Sequence, residues 1–235
     1  VSIFKNNQLI FAVEEERINR IKHWAGVPIE SLKLGIKYCE IDVNDIETIT
    51  TNSNILSNFN QKIIYYLKNY LFSKKTFEIF NRYRKKTGIK KTIIDNLGAN
   101  HHINFKAYDH HLCHLASAYY PSNFNDAIGL SVDGFGDFCS LVISKCKNNQ
   151  IEILKKINYP NSIGVFYESI TQLIGFKKYG EEYKMMGLSS YGNPIYKDLF
   201  IKNFFKNRDL TKLNLEYFNH HKKNYYYNFS GIPNQ

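Results

Sequence analysis

Between Tyr108 and Asp137 the chain places two histidines four residues apart, His110 and His114, ahead of an apolar run ending in Asp133-Gly134-Phe135-Gly136. Residues four apart share one face of a helix, so two imidazoles at that spacing can grip a single cation. A carboxylate at a strand end followed by glycines suits a metal beside a phosphate, because backbone N–H groups approach an anion closely where no Cβ intervenes. Alone, the glycines read first as a tight turn, and the histidine cluster could be a capped helix start with Asp109 and His111 in solvent. The two halves together point to a metal-assisted nucleotide site.

The surrounding pattern places that site in a mixed α/β architecture. Apolar runs at residues 1–4 and 8–13 flank the turn formers Asn6-Asn7 and predict a hairpin. The acidic run Glu14-Glu15-Glu16 reads as a solvated strand end, followed by a loop through Trp24 and Gly26. A helix is expected from Pro28, a turn at Asp42–Asp45 and a short strand at Glu47–Thr51. Residues 58–86 read as a helix, and 92–107 as irregular apart from a strand near Asn104–Tyr108. His110–Tyr120 is a helix stopped by Pro121. Three strands follow, Ala127–Val132, Phe138–Lys145 and Ile151–Asn158, with the glycines at the first corner and Asn148-Asn149 at the second. Helices are expected over Ser162–Ile174, ended by Gly175, and around Tyr196–Phe205. Acid–glycine corners of this kind mark the actin/hexokinase/Hsp70-like (ASKHA) ATPase fold, here incomplete, with mixed β-sheets flanked by helices. The division expected is 1–107, with a basic helical insertion at 58–91, and 108–235, which carries the metal and nucleotide site.

The 235 residues can bury a real core. An apolar share of 43%, with 18 Tyr and 17 Phe, excludes a disordered chain. No apolar run approaches the roughly 18–20 residues of a membrane span. Cys39, Cys113, Cys139 and Cys146 form no CxxC pair, so free thiols in a reducing cytoplasm are expected. The net charge of +10 is uneven. Residues 61–91 hold ten basic residues against Glu78 alone, whereas 101–195 hold eight of each sign. A basic segment set apart from the motifs is a solvated face before it is a nucleic-acid patch.

A second motif, GEEYKMMGLSSYGNP at 180–194, combines acids, a lysine and glycines. At a helix start beside a nucleotide, Glu182 could accept from ribose hydroxyls. Lys184 could neutralise phosphate, and Gly187 could admit a flat base. Lys22 and His23 follow the acidic run and could reach a cleft between lobes. His101, His102, His220 and His221 lie in unpatterned stretches and carry no assignment.

Together AVEEERINRIKH (12–23), HHLCHLASAYYPSNFNDAIGLSVDGFGD (110–137) and GVFYESITQLIGFKKYGEEYKMMGLSSYGNP (164–194) resemble the carbamoyltransferases of the NodU/CmcH type. The blocks cover about a third of the chain, in that family's order and spacing. The resemblance implies an enzyme that makes carbamoyl adenylate from carbamoyl phosphate and ATP on a C-terminal YrdC-like domain. It then transfers the carbamoyl group to a hydroxyl of a sugar or natural product. His110, His114 and Asp133 would hold a divalent metal, Fe or Zn by ligand type, with Mn or Mg also open. Gly134 and Gly136 would touch phosphate, Glu182, Lys184 and Gly187 would line the nucleotide, and Lys22 would line the carbamoyl pocket. That family's opening strand and YrdC-like domain match nothing in these residues, so the sequence reads as truncated at both ends and as incomplete alone. Other readings are a tRNA threonylcarbamoyladenosine-forming relative, in which the basic segment would meet tRNA, and a non-catalytic nucleotide-binding module. A homodimer is compatible with either.

Overall fold

A computed structural model describes residues 1–70, 88–99 and 102–221. Most of the basic stretch, and the tail after residue 221, lie outside them. The chain divides into two units, Val1–Thr51 with Ile64–Ala107, and Asn52–Ile63 with Tyr108–Gln235.

The first unit opens with the expected hairpin. β1 (Ser2–Lys5) pairs antiparallel with β2 (Gln8–Ala12). Asn6 and Asn7 both take positive φ, +52° and +62°, as in a turn whose twist matches the flanking strands. The acidic run that follows is not a solvated strand end. It forms a short helix, α1 (Glu15–Asn19), and turns Glu15 inward to 7% exposure. The Glu15 carboxylate accepts from the Glu30 and Ser31 amides at 3.2 and 2.7 Å. Those amides begin α2 (Ile29–Tyr38), whose N-cap residue, Pro28, makes no side-chain cap. The first amides of a helix have no partners within it, and Glu15 supplies one from fifteen residues upstream. That distance hides the burial from local pattern.

β3 (Thr48–Thr51) pairs in parallel with β4 (Asn104–Ala107). α3 (Phe59–Tyr70) covers the described part of the helix expected over 58–86. Residues 92–97 are not irregular but belong to α4 (Ile89–Leu97), with Ile93 buried. Ile89, Ile93 and Leu97 recur every four residues and form one stripe.

The second unit is built on an antiparallel meander of β5 (Asp126–Gly136), β6 (Cys139–Lys147) and β7 (Gln150–Asn158). α5 (His110–Tyr119) places Leu115 against Cys139 and Val142, and α6 (Ile163–Leu173) places Val165 against Phe205, Leu213 and Phe218. α7 (Glu182–Ser189) and α8 (Lys197–Phe204) complete the described elements. The whole is a mixed α/β arrangement of small sheets and helices. Among the described residues no helix is long and apolar enough to cross a membrane, and all four cysteines are free thiols.

The first corner of the meander lies elsewhere than the glycines suggested. β5 continues through Gly136, and the turn is made by Asp137 and Phe138, both at positive φ (+51° and +74°). Val132 faces Leu141 and Gly136 faces Cys139, so Asp133, Gly134 and Phe135 stand opposite Ser140 alone. Those three residues form a bulge, a device that bends a strand and re-aims its side chains.

Candidate metal centre

The bulge and α5 converge on one point. Asp109 caps α5, accepting from the Leu112 amide at 3.2 Å, and the helix brings the rings of His110 and His114 to 4.6 Å between centroids. His110 Nε2 lies 2.7 Å from Asp133 Oδ2 and 3.0 Å from His114 Nε2, while His114 Nε2 lies 3.6 Å from Asp133 Oδ2. Among the described residues these three form a group of ligand atoms within 4.8 Å of one another. A tetrahedral metal with bonds of about 2.1 Å sets its ligand atoms roughly 3.4 Å apart, which these separations bracket. The donor set, two imidazoles and a carboxylate, fits a divalent transition metal. Cys113 is not a member of the group.

The electrostatics follow from the same contacts. The hydrogen bond to His110, helped by the Gly134 amide and both imidazoles, holds Asp133 down to about 2 against the opposing effect of burial. In return the hydrogen bond to Asp133 raises the pKa of His110.

His111, which a solvated cap would expose, is fully buried. Its Nε2 donates to the Cys139 carbonyl at 3.0 Å, which leaves Nδ1 to accept from the Ser131 hydroxyl at 2.7 Å. Burial lowers its pKa. The neutral ring thus pins α5 to β5 and β6, a role the sequence conceals because His111 looks like its neighbours.

Gly136 is obligatory for a different reason than a turn. A Cβ there would stand 1.9 Å from His110 Cδ2. At Gly134 a Cβ would meet nothing within 4 Å, and its amide donates to Asp133 Oδ1 at 2.6 Å. The N-terminus of α6 abuts the same bulge. The Ser162 hydroxyl reaches the Gly134 and Asp133 carbonyls at 2.8 and 3.1 Å, and a Cβ on Gly164 would lie 2.6 Å from the Asp133 carbonyl oxygen.

Four residues after Gly164, and so on the same stripe of α6 about 6 Å further along, comes Glu168. Burial, and then the charge of Glu182, push its carboxyl up to about 7. Sequence reading missed Glu168, which sits in an apolar helix with no motif of its own; the raised carboxyl is a three-dimensional property. The residues expected along the nucleotide do not share one face. Glu182, Lys184 and Gly187 all lie on α7, but residues two apart on a helix face opposite ways. Glu182 acts on Glu168, whereas Lys184 pairs with Glu181 and lies 5.7 Å from the Phe176 ring. Lys22 occupies an exposed turn of the first unit.

Residues 1–230 match the sequence pattern of the family described as the carbamoyltransferase N-terminus. An uncharacterized protein of Synechocystis sp., sll1178, is 31% identical, over 93% of this chain and 37% of its own length. The nodulation protein NolNO of Sinorhizobium fredii is 30% identical, over 84% of this chain and 28% of the relative. The nodulation protein NolO of Bradyrhizobium diazoefficiens is 36% identical, over 39% of this chain and 17% of the relative. The chain therefore spans about a third or less of the curated relatives it matches most extensively. With the HxxxH pair and the DGFG bulge lying inside the matched residues, the chain belongs to the carbamoyltransferase N-terminus family.

Proposed function

We propose that this chain is the metal- and nucleotide-binding part of an ATP-dependent O-carbamoyltransferase, built as an actin/hexokinase/Hsp70-like lobe pair and working in the cytoplasm. It would take carbamoyl adenylate, made from carbamoyl phosphate and ATP on a YrdC-like domain, and pass the carbamoyl group to a hydroxyl of a sugar or natural product. The observation that carries this reading is the convergence of His110, His114 and Asp133 at the bulge of a family member.

In this reading His110, His114 and Asp133 hold a divalent cation, with iron or zinc suited to two imidazoles and a carboxylate. A cation at that point would stabilise negative charge on the phosphate of the mixed anhydride. The chain's own groups supply the rest. The start of α6, a helix N-terminus directed at the bulge, favours an anion there. Gly134 keeps a side chain out of the space beside it, and Gly136 makes room for the His110 ring. Glu168 and Glu182 accept from nucleotide or sugar hydroxyls, and Gly187 leaves room for a base. Lys184 would reach phosphate only by leaving Glu181. Lys22 is assigned to the carbamoyl pocket.

The test uses the natural polypeptide that holds this chain, supplied with carbamoyl phosphate, ATP and a panel of hydroxylated acceptors. Metal content by mass spectrometry and AMP release are both expected to fall to background in the His110→Ala/His114→Ala double variant. Metal content equal to that of the parent protein would overturn the assignment.

A further inference from the structure

Asp137 is a carboxylate that the metal-centre reading leaves unused. It stands at the β5–β6 corner, is 8% exposed, and is not one of the three ligand groups. A buried carboxylate needs several hydrogen bonds to offset the water it gives up, and those of Asp137 come from two distant segments. Its Oδ2 accepts from the His110 amide at 3.0 Å and from the Asn54 amide at 2.8 Å, and its Oδ1 accepts from the Ser53 hydroxyl at 2.8 Å. The Asn58 side-chain amide donates to its backbone carbonyl at 3.0 Å. Lys156 then links Asn58 to Asp109, at 3.3 Å to each. One carboxylate therefore fastens the loop at residues 52–58 to the first amide of the helix that carries both histidines.

The same carboxylate therefore sets where the first turn of α5 lies, and with it where the His110 ring meets Asp133 and His114. Groups outside a ligand set orient the ligands and tune the affinity for the metal.

We propose that Asp137 is a positioning residue of the metal centre: through the His110 amide it ties α5 to the 52–58 loop, and so fixes where His110 and His114 meet Asp133. The proposal rests on the metal-binding reading above, and extends it to a residue and a loop outside the ligand set. Removing an outer partner of a metal-bound histidine typically weakens metal binding about 10–100-fold. Asp137→Asn retains size and one acceptor oxygen while losing the charge that gathers three donors. Ser53→Ala cuts the loop tether without touching α5.

The experiment is a Co²⁺ titration of the chain followed by its visible spectrum, with hydrogen exchange of the His110 and Asn54 amides read by NMR before metal is added. Asp133→Asn serves as the control that removes a ligand. The parent is expected to bind Co²⁺, and Asp133→Asn to bind it far more weakly. Asp137→Asn should raise the Kd by about 10–100-fold, alter the spectrum and speed the exchange of both amides. Ser53→Ala should shift all three in the same direction by less, and it carries the test if Asp137→Asn does not fold. Parent-like affinity, spectrum and amide exchange in a folded variant would overturn the proposal with the metal reading intact. A parent that takes up no Co²⁺ would instead sink the metal reading, and the amide exchange would still decide whether Asp137 fixes α5.

Discussion

The His110 ring occupies the space that a side chain on Gly136 would need, with a Cβ there 1.9 Å from Cδ2 and 2.2 Å from Cγ. Gly134, two residues earlier on the same strand, faces open space. Gly136→Ala must therefore move either the ring or the strand end. Metal affinity is expected to fall at least about tenfold, or roughly 1.4 kcal/mol. Gly134→Ala should fold and bind metal like the parent. Calorimetric titration with metal, then with an ATP analogue, separates the two. A nucleotide-specific loss in Gly134→Ala would report a phosphate contact, whereas equal metal affinity in both variants would contradict the packing.

Metal uptake should depend on pH in a fixed direction. His110 has its pKa raised chiefly by Asp133, and Asp133 is held at about 2 chiefly by His110. In the metal-free protein this pair contributes fully between about pH 4 and 6.5, the ordinary carboxylate and imidazole values. The contribution is lost as pH rises through the raised pKa of His110, and as it falls toward 2. A metal requires the imidazole deprotonated, so its apparent affinity should climb with pH, about tenfold per unit while one proton is displaced, and level off above the His110 pKa. Titrations at pH 6 in buffers of different ionisation enthalpy should show net proton release on metal binding. Affinity unchanged between pH 5.5 and 8 would rule out the His110–Asp133 coupling.

Glu15 offers a test in the first unit. Its buried carboxylate takes two amides at the start of α2, and hydrogen bonds to charged groups contribute about 1.5–3 kcal/mol each when removal strands a partner. Glu15→Ala is expected to destabilise by about 2 kcal/mol, measured by urea denaturation, whereas Glu14→Ala, at an exposed position, should change little. Equal effects would restore the reading of this run as a solvated face.

These elements also show how much of the molecule was legible in the residues alone. The Asn6-Asn7 hairpin, the His110 helix, the meander and the His110/His114/Asp133 group all rest on local spacing, and local spacing is what a sequence displays. The bulge did not show, because Asp133-Gly134-Phe135-Gly136 has the composition of a turn, and only the register against β6 reveals that the chain turns later, at Asp137-Phe138. The roles of Glu15, His111, Asp137 and Glu168 were hidden for one shared reason. Each depends on partners or burial supplied by remote segments. The helix at Ile89–Leu97 was missed for the opposite reason: its apolar stripe is short and interrupted by Lys90, Lys91 and Asp95.

The last prediction concerns Glu168. Its carboxyl is pushed up to about 7 by burial and by Glu182, so the folded protein holds this proton more tightly than the unfolded chain does. The sign follows: stability falls as pH rises from the ordinary glutamate value near 4.5 to about 7, and is level above that. Glu168→Gln removes the ionisation and with it the slope. The variant should match the parent near pH 4 and exceed it by pH 8, by at most about 3 kcal/mol at 1.36 kcal/mol per pKa unit. Glu182→Gln should give part of the same gain by removing the neighbouring charge. Urea denaturation at pH 4.5 and 8 measures both. If the carboxylate serves hydroxyl binding, Glu168→Gln will also lose affinity for an ATP analogue at pH 8 while gaining stability, the exchange expected where a site retains a destabilising group for function. A stability change of the same size at both pH values would show that Glu168 is an ordinary carboxyl.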